Sequence, residues 1–240
     1  MLLCDNSNYF FISTVMRKRR NKMKKFIVML LSAILCFGLA ACGGGSDGGN
    51  ADKPDTSTEA YSVQLTSGNY TAGIDIPIGV YNVTAVSGSG NVSSSNMYEG
   101  GINSAMGAED VDDPYDMYEQ TFSNLDMAKD VVLSVSGGVT IELTSDAAQT
   151  KNLTKRTPEG SECTLSNGNY TSGTHFDPGV YDITIVSGNG NVSSSNMYEG
   201  GINAIMGTDN SFGIYDKEYK NVELPEGETL TLKDVEVKLT

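Results

Sequence analysis

The chain has 240 residues and a formal net charge of −14, with 30 acidic against 16 basic side chains, one histidine, four cysteines and no tryptophan. Seven of the basic residues (Arg17, Lys18, Arg19, Arg20, Lys22, Lys24, Lys25) and one acid, Asp5, fall in residues 1–41, so the remainder carries a formal charge of −20. A surface of that sign repels phosphate and excludes nucleic acid as a partner. With one histidine, and only Cys42 and Cys163 beyond residue 41, the usual zinc spacings are excluded too.

The basic block leads into an apolar run, residues 26–39, interrupted only by Ser32 and Gly38. This order is that of a secretory signal peptide, and the run falls short of the roughly 20 residues a membrane span needs. Its end, Leu39-Ala40-Ala41-Cys42, resembles the lipobox of bacterial lipoproteins. In that family the cysteine thiol receives a diacylglyceryl group and cleavage leaves the cysteine as the first residue. The resemblance implies a signal peptide over residues 1–41, lipid attachment at Cys42 and a place on the outer face of the cell membrane. A translation start at Met16 or Met23 gives that signal peptide ordinary proportions. Residues 42–60, rich in Gly, Ser and Asp, hold no apolar pattern and read as a flexible tether.

Beyond the tether the chain repeats itself. Residues 90–103 and 190–203 are identical at fourteen consecutive positions, G-N-V-S-S-S-N-M-Y-E-G-G-I-N. Around them, Gly68-Asn69-Tyr70-Thr71 matches Gly168-Asn169-Tyr170-Thr171, and Gly79-Val80-Tyr81 matches Gly179-Val180-Tyr181. Copy 1 is bounded at residues 61–145 and copy 2 at 161–240, with a polar linker over 146–160. The offset shrinks from 100 to 96 by the last strand, and the missing residues are expected near 126–130. Each copy has the size of a small independent domain.

Both copies read as strands. Tyr81, Val83 and Ala85 alternate with Asn82 and Thr84, as do Tyr181, Ile183 and Ile185 with Asp182 and Thr184, the period of a half-buried strand. Asp177-Pro178-Gly179-Val180 fits a type II turn before it. Each copy ends in an expected hairpin: residues 131–136 and 139–143 around Gly137-Gly138, and residues 229–232 and 235–239 around Lys233-Asp234. The fold class is therefore all-β: two tandem small antiparallel β-sandwich or barrel-like domains, each with a short helical or Gly-Gly crossover. The helical part is suggested by Tyr98, Ile102 and Met106 four residues apart, by Asn96 and Glu99 as a capping box, and by Gly107 as a stop. Met97, Ile102 and Met106 are expected in the core.

Fourteen identical residues beside divergent flanks have two readings, of which the functional one is a site present twice. Its candidate binding residues are Asn96, Tyr98, Glu99 and Asn103, with Asn196, Tyr198, Glu199 and Asn203. The competing explanation is a crossover whose glycines and apolar residues tolerate no change. Catalytic residues are not evident: His175 has Asp75 as its counterpart and reads as a loop residue, and Cys163 as a small buried one. Tyr118 and Tyr219 are candidates for a sugar-stacking face. No cofactor is called for, and no metal beyond a weak calcium candidate in the acidic loop at Asp112, Asp113 and Asp116. The G-x-Y and P-x-G-x-Y phrases resemble repeats in uncharacterised surface lipoproteins of Gram-positive bacteria, which implies a surface location and no known chemistry. The expected role is non-catalytic binding or structure at the envelope, with the membrane as one partner and a cell-wall or extracellular glycan or a protein as another. The alternative is an enzyme acting on such glycans.

Overall fold

The structure, a computed structural model, describes residues 56–113, 115–156, 160–209 and 213–240. The signal segment, Cys42 and most of the tether lie outside the described residues. The described chain is all-β. Copy 1 supplies β1 (Glu59–Leu65), β2 (Gly68–Thr71), β3 (Gly79–Ser87), β4 (Ser89–Ser94), β5 (Asn103–Gly107), β6 (Thr121–Met127), β7 (Val132–Ser136) and β8 (Thr140–Ala148). Copy 2 supplies β9 (Cys163–Leu165), β10 (Gly168–Thr171), β11 (Gly179–Ser194), β12 (Asn203–Gly207), β13 (Glu218–Leu224) and β14 (Thr229–Leu239).

In copy 1 the order β1-β8-β3-β6 forms one sheet, while β2, β7, β4 and β5 lie together in a second. The alternating residues meet between them: Tyr81, Val83, Val92, Leu125, Leu133, Val135, Ile141 and Leu143 are all buried in one cluster. Burying such a row of β-branched and aromatic side chains is the main favourable term for a chain with this little helix propensity. Copy 2 builds a cluster of its own around Tyr181, Ile183, Val192, Ile202, Leu224, Leu230 and Val237. The tyrosine at the start of β3 and β11 anchors each copy: Tyr81 Oη donates to the Pro77 carbonyl at 2.7 Å, and Tyr181 Oη donates to the Asp177 carbonyl.

Several local expectations are corrected. The terminal segments are not hairpins. β7 and β8 pair with different partners in different sheets, so Gly137-Gly138, both at positive φ, carry the chain across the sandwich. In copy 2, β14 runs unbroken through the same place. Asp234 sits at φ 58, and the buried residues change parity there, from Leu230 and Leu232 to Val235, Val237 and Leu239, as a bulge requires. No type II turn precedes β3 or β11, because neither Gly79 nor Gly179 has positive φ. The turn lies earlier, at Gly73 (φ 86) and Gly173 (φ 80). The length difference does not fall at 126–130. Gly107 N donates to Glu119 O and Gly207 N to Asp216 O, so Asp216 answers to Glu119 and three residues are lost in the loop after β5; the fourth is lost at Gly137-Gly138.

The two copies are joined by more than chain. β2 lies beside β13, with Gly68 opposite Lys220, and Lys220 N donates to Ser67 O at 3.1 Å. Asn69, 1% exposed, donates through Nδ2 to the carbonyls of Gly200 at 2.8 Å and Gly201 at 2.7 Å. Its Oδ1 accepts from Tyr219 Oη at 3.1 Å and Ser134 Oγ at 2.7 Å, and its carbonyl accepts from Asn221 Nδ2 at 2.9 Å. Asp216, also buried, accepts from Ser67 Oγ and from the amides of Gly137 and Gly138. Burial raises its carboxyl above the ordinary value against the pull of those three donors. The expected linker is pinned as well: Arg156 bonds both oxygens of Asp75 and Oε1 of Glu223. Burial works against its charge, and the two carboxylates outweigh that effect and hold the guanidinium above its ordinary value. Buried polar groups are tolerated when they are bonded in this way, and the result fixes one copy against the other.

Candidate functional site

The fourteen identical residues form β4 from Gly90, the loop after it and the first residue of β5, and in copy 2 the end of β11, its loop and the first residue of β12. There is no helix. Ile102 and Met106 are buried, as expected, but Tyr98 is 90% exposed and Tyr198 83%, so the spacing of four belongs to a loop entering a strand. Met97 and Met197 are exposed rather than core. Asn96 and Glu99 make no capping box; Glu99 N and Gly101 N both donate to Asn96 O, closing a tight turn. Gly107 ends β5, without the positive φ of a helix stop.

Most of the stretch has a local structural duty. A Cβ on Gly90 would sit 2.0 Å from Ser136 O, and one on Gly190 2.0 Å from Lys233 O. On Gly101 it would meet Ser94 Oγ at 2.2 Å and Asn96 Oδ1 at 2.4 Å, and Gly201 repeats both clashes with Ser194 and Asn196. Ser94 Oγ is there to accept from Ile102 N at 2.9 Å, as Ser194 Oγ accepts from Ile202 N. Ser95 Oγ accepts from Val132 N and Ser195 Oγ from Thr229 N. Asn96 Nδ2 donates to Asp126 O and Asn196 Nδ2 to Glu223 O, so both asparagines face inward. Gly100 and Gly200 take φ 86 and 83, which lets their carbonyls accept from Asp126 N and Glu223 N.

Of the eight predicted binding residues, Asn96 and Asn196 are therefore structural. Tyr98, Glu99, Tyr198 and Glu199 stand at the loop tips and are exposed. Asn103 and Asn203 lie at the strand starts, also exposed, and Asn203 Oδ1 accepts weakly from Asn191 Nδ2 at 3.4 Å. What each loop presents is a tyrosine ring beside a carboxylate, on a backbone fastened from Ser94 to Ile102. A tyrosine has only two side-chain torsions to fix on binding, and its apolar face with a polar rim suits a partner that is part apolar and part hydroxylated.

The remaining candidates fall out differently. Asp113 is half-buried, and its two oxygens accept from Met117 N and Tyr118 N at 2.9 and 2.8 Å, bonds that hold its carboxyl below the usual range. Asp112 and Asp116 are exposed. Among the described residues no group of three or more His, Cys, Asp or Glu side chains is placed to share a metal ion. Tyr219 is buried at the copy–copy contact and cannot stack on a sugar; burial pushes its hydroxyl up. His175 is exposed, as expected, yet it also braces its loop. Its Nδ1 accepts from Thr171 N at 2.8 Å, as Asp75 Oδ2 accepts from Thr71 N. Cys163 is half-buried against the copy 2 core, which pushes its thiol up.

A cleft of about 430 Å³ opens where the copies meet, lined by Ile74, Arg156, Pro178, Val180, Glu223 and Pro225 among others. No sequence signal marks it, because its walls come from both copies and the segment between them. Its charged pair, Arg156 and Glu223, is joined at 2.6 Å. Compared with protein-family models, curated proteins and solved structures, the chain finds no match.

Proposed function

We propose that the protein is an exported lipoprotein, held by Cys42 at the outer face of the cell membrane, and that it is a non-catalytic, bivalent binding module for a repeating polymer of the envelope, with cell-wall or extracellular glycan as the expected class. The observation that carries this reading is the identity of Tyr98-Glu99 and Tyr198-Glu199 at positions where the fold asks for nothing. Every neighbour in the stretch that is buried, or tied by a side-chain bond or a would-be clash, has a structural reason to be the same in both copies. A tyrosine about nine-tenths exposed has none, and a duplicated ring and carboxylate is what two equal sites on one polymer need. The fixed packing of the copies adds to this, since two sites held at constant spacing bind a repeating ligand by effective concentration. An enzyme acting on the same glycans would need one cleft with convergent free polar groups, and the cleft between the copies spends Arg156 and Glu223 on each other.

The test is co-sedimentation with insoluble envelope glycans. The wild-type chain is retained, and the double variant Tyr98→Ala/Tyr198→Ala is released with its melting temperature unchanged. Equal retention of the two proteins would remove the loops from the account.

A further inference from the structure

The contact between the copies is one-sided. Copy 1 presents a docking face, made of β2 and Gly137-Gly138, and copy 2 receives it with β13, Asp216, Gly200 and Gly201. Each copy carries the strand and loop parts of both halves by descent from the repeat, with Asp234 of copy 2 in place of Gly137-Gly138. The chain is therefore left with an unused docking face on copy 2 and an unused receiving face on copy 1.

The strand part of the unused docking face is preserved, whereas Asp234 replaces Gly137-Gly138 and its amide donates to Asn167 Oδ1 at 3.2 Å. Gly168-Asn169-Tyr170-Thr171 repeats Gly68-Asn69-Tyr70-Thr71 without change. All four residues of β2 are buried, whereas in β10 Asn169 is exposed and the others are half-buried. Asn169 is nonetheless held as Asn69 is. Its Oδ1 accepts from Thr231 Oγ1 at 2.8 Å, as Asn69 Oδ1 accepts from Ser134 Oγ at 2.7 Å. That leaves Nδ2, the atom that Asn69 uses to bind two glycine carbonyls, as the uncommitted donor.

The unused receiving face keeps the glycines and the asparagine of the internal contact, though not the Tyr219 hydroxyl. Gly100 and Gly101 stand for Gly200 and Gly201. Asn124 stands for Asn221 in the same left-handed backbone, φ 62 and 57. Glu119 stands for Asp216 and Phe122 for Tyr219, the pair buried by copy 1; Glu119, Ser123, Asn124 and Asp126 are exposed. The one place where the internal contact needs outside help supplies its own complement between chains. Asp75 and Glu223 are both acidic and are bridged by Arg156. Their counterparts are His175 and Asp126, a donor and an acceptor. His175 spends Nδ1 on Thr171 N, which leaves Nε2 to meet the carboxylate.

We propose that the protein assembles head to tail, with the β10 face of one chain docking on β6, Gly100 and Gly101 of a second copy of the same chain. The contact is heterologous: each addition leaves one free face of each kind, so growth continues until geometry closes a ring or a filament extends. It repeats a packing the chain already makes within itself. It also leaves Tyr98 as free as Tyr198 is beside the internal contact, so it stands independently of the binding reading.

Sedimentation of the full chain in detergent, at rising protein concentration, tests this with two blocked variants. Asn169→Arg obstructs the docking face, and Asp126→Arg obstructs the receiving face and removes the acceptor for His175, both at exposed residues. The wild-type chain should associate, each variant alone should be monomeric with its melting temperature unchanged, and an equimolar mixture of the two variants should give a one-to-one dimer and nothing larger, since only one good contact can form. The mixture also guards against misfolding, because a misfolded partner cannot restore association. A wild-type chain that is monomeric at about 1 mM, the weak end of measurable association, overturns the proposal. So does either variant that still associates alone, or a mixture that stays monomeric.

Discussion

Asn69 and Asn169 are the same residue in the same local setting, and only one of them is covered by the other copy. Replacing each by alanine therefore weighs the copy–copy contact directly. Asn69→Ala strands the buried Tyr219 hydroxyl and removes the donor from the carbonyls of Gly200 and Gly201. Each buried group left without a partner costs about 1–3 kcal/mol. Gly200 O keeps its bond from Glu223 N, so the sum is held to about 3–5 kcal/mol. Asn169→Ala loses one exposed bond, to Thr231, at a cost of about 0.5 kcal/mol. At roughly 2–4 °C per kcal/mol for a chain of this size, the first variant should melt about 10 °C lower and the second within about 2 °C of wild type. Denaturant titration of both variants in the otherwise unchanged protein makes the measurement. Equal losses for the two would refute the view that the copies form one body through Asn69.

The scaffold part of the identical stretch should separate cleanly from its exposed part. Gly90→Ala forces a Cβ to within 2.0 Å of Ser136 O and should cost about 3 kcal/mol or prevent folding, while Tyr98→Ala should stay within about 0.5 kcal/mol of wild type by chemical denaturation. Asp216 makes the copy–copy contact sensitive to acid in an unusual direction. Its carboxyl is raised above its ordinary 3.8, so the folded chain holds that proton more tightly than the unfolded one. The stability it contributes is present below 3.8 and is lost as pH rises from there through the raised value. The stability of wild type relative to Asp216→Asn should accordingly fall with pH over that window, and a flat difference in paired denaturation curves would contradict the assignment. At the other end of the chain, Cys42→Ala should abolish incorporation of labelled fatty acid and move the protein out of the membrane fraction; persistent labelling would remove the anchor.

The strands are legible because their side-chain period is two. Tyr81, Val83 and Ala85 announce a buried face in the sequence and are buried. The expected helix fails for a related reason: a spacing of four is even, so Ile102 and Met106 fall on one face of a strand as readily as on one side of a helix. The expected hairpins have the right alternation but hide their parity. The shift from Leu230 and Leu232 to Val235 and Val237 is in the sequence, and it marks a bulge in one strand rather than a turn between two. The contact between copies leaves no such mark. Gly-Asn-Tyr-Thr occurs twice and is covered once, so no local pattern distinguishes Asn69 from Asn169. Within the candidate site, exposure divides what identity alone does not: Asn96 is identical because it faces in, and Tyr98 is identical although it faces out.

The central claim is that two equal Tyr–Glu tips act together. Apparent affinity for one insoluble envelope glycan, measured for wild type, Tyr98→Ala, Tyr198→Ala and the double variant, bears on it most directly. Two linked sites exceed either alone by about 10²–10⁴. Each single variant should therefore fall by at least about 10²-fold on the polymer, while on a short soluble fragment it should lose only about half of the binding capacity. Single variants that hold the polymer as tightly as wild type would contradict the account.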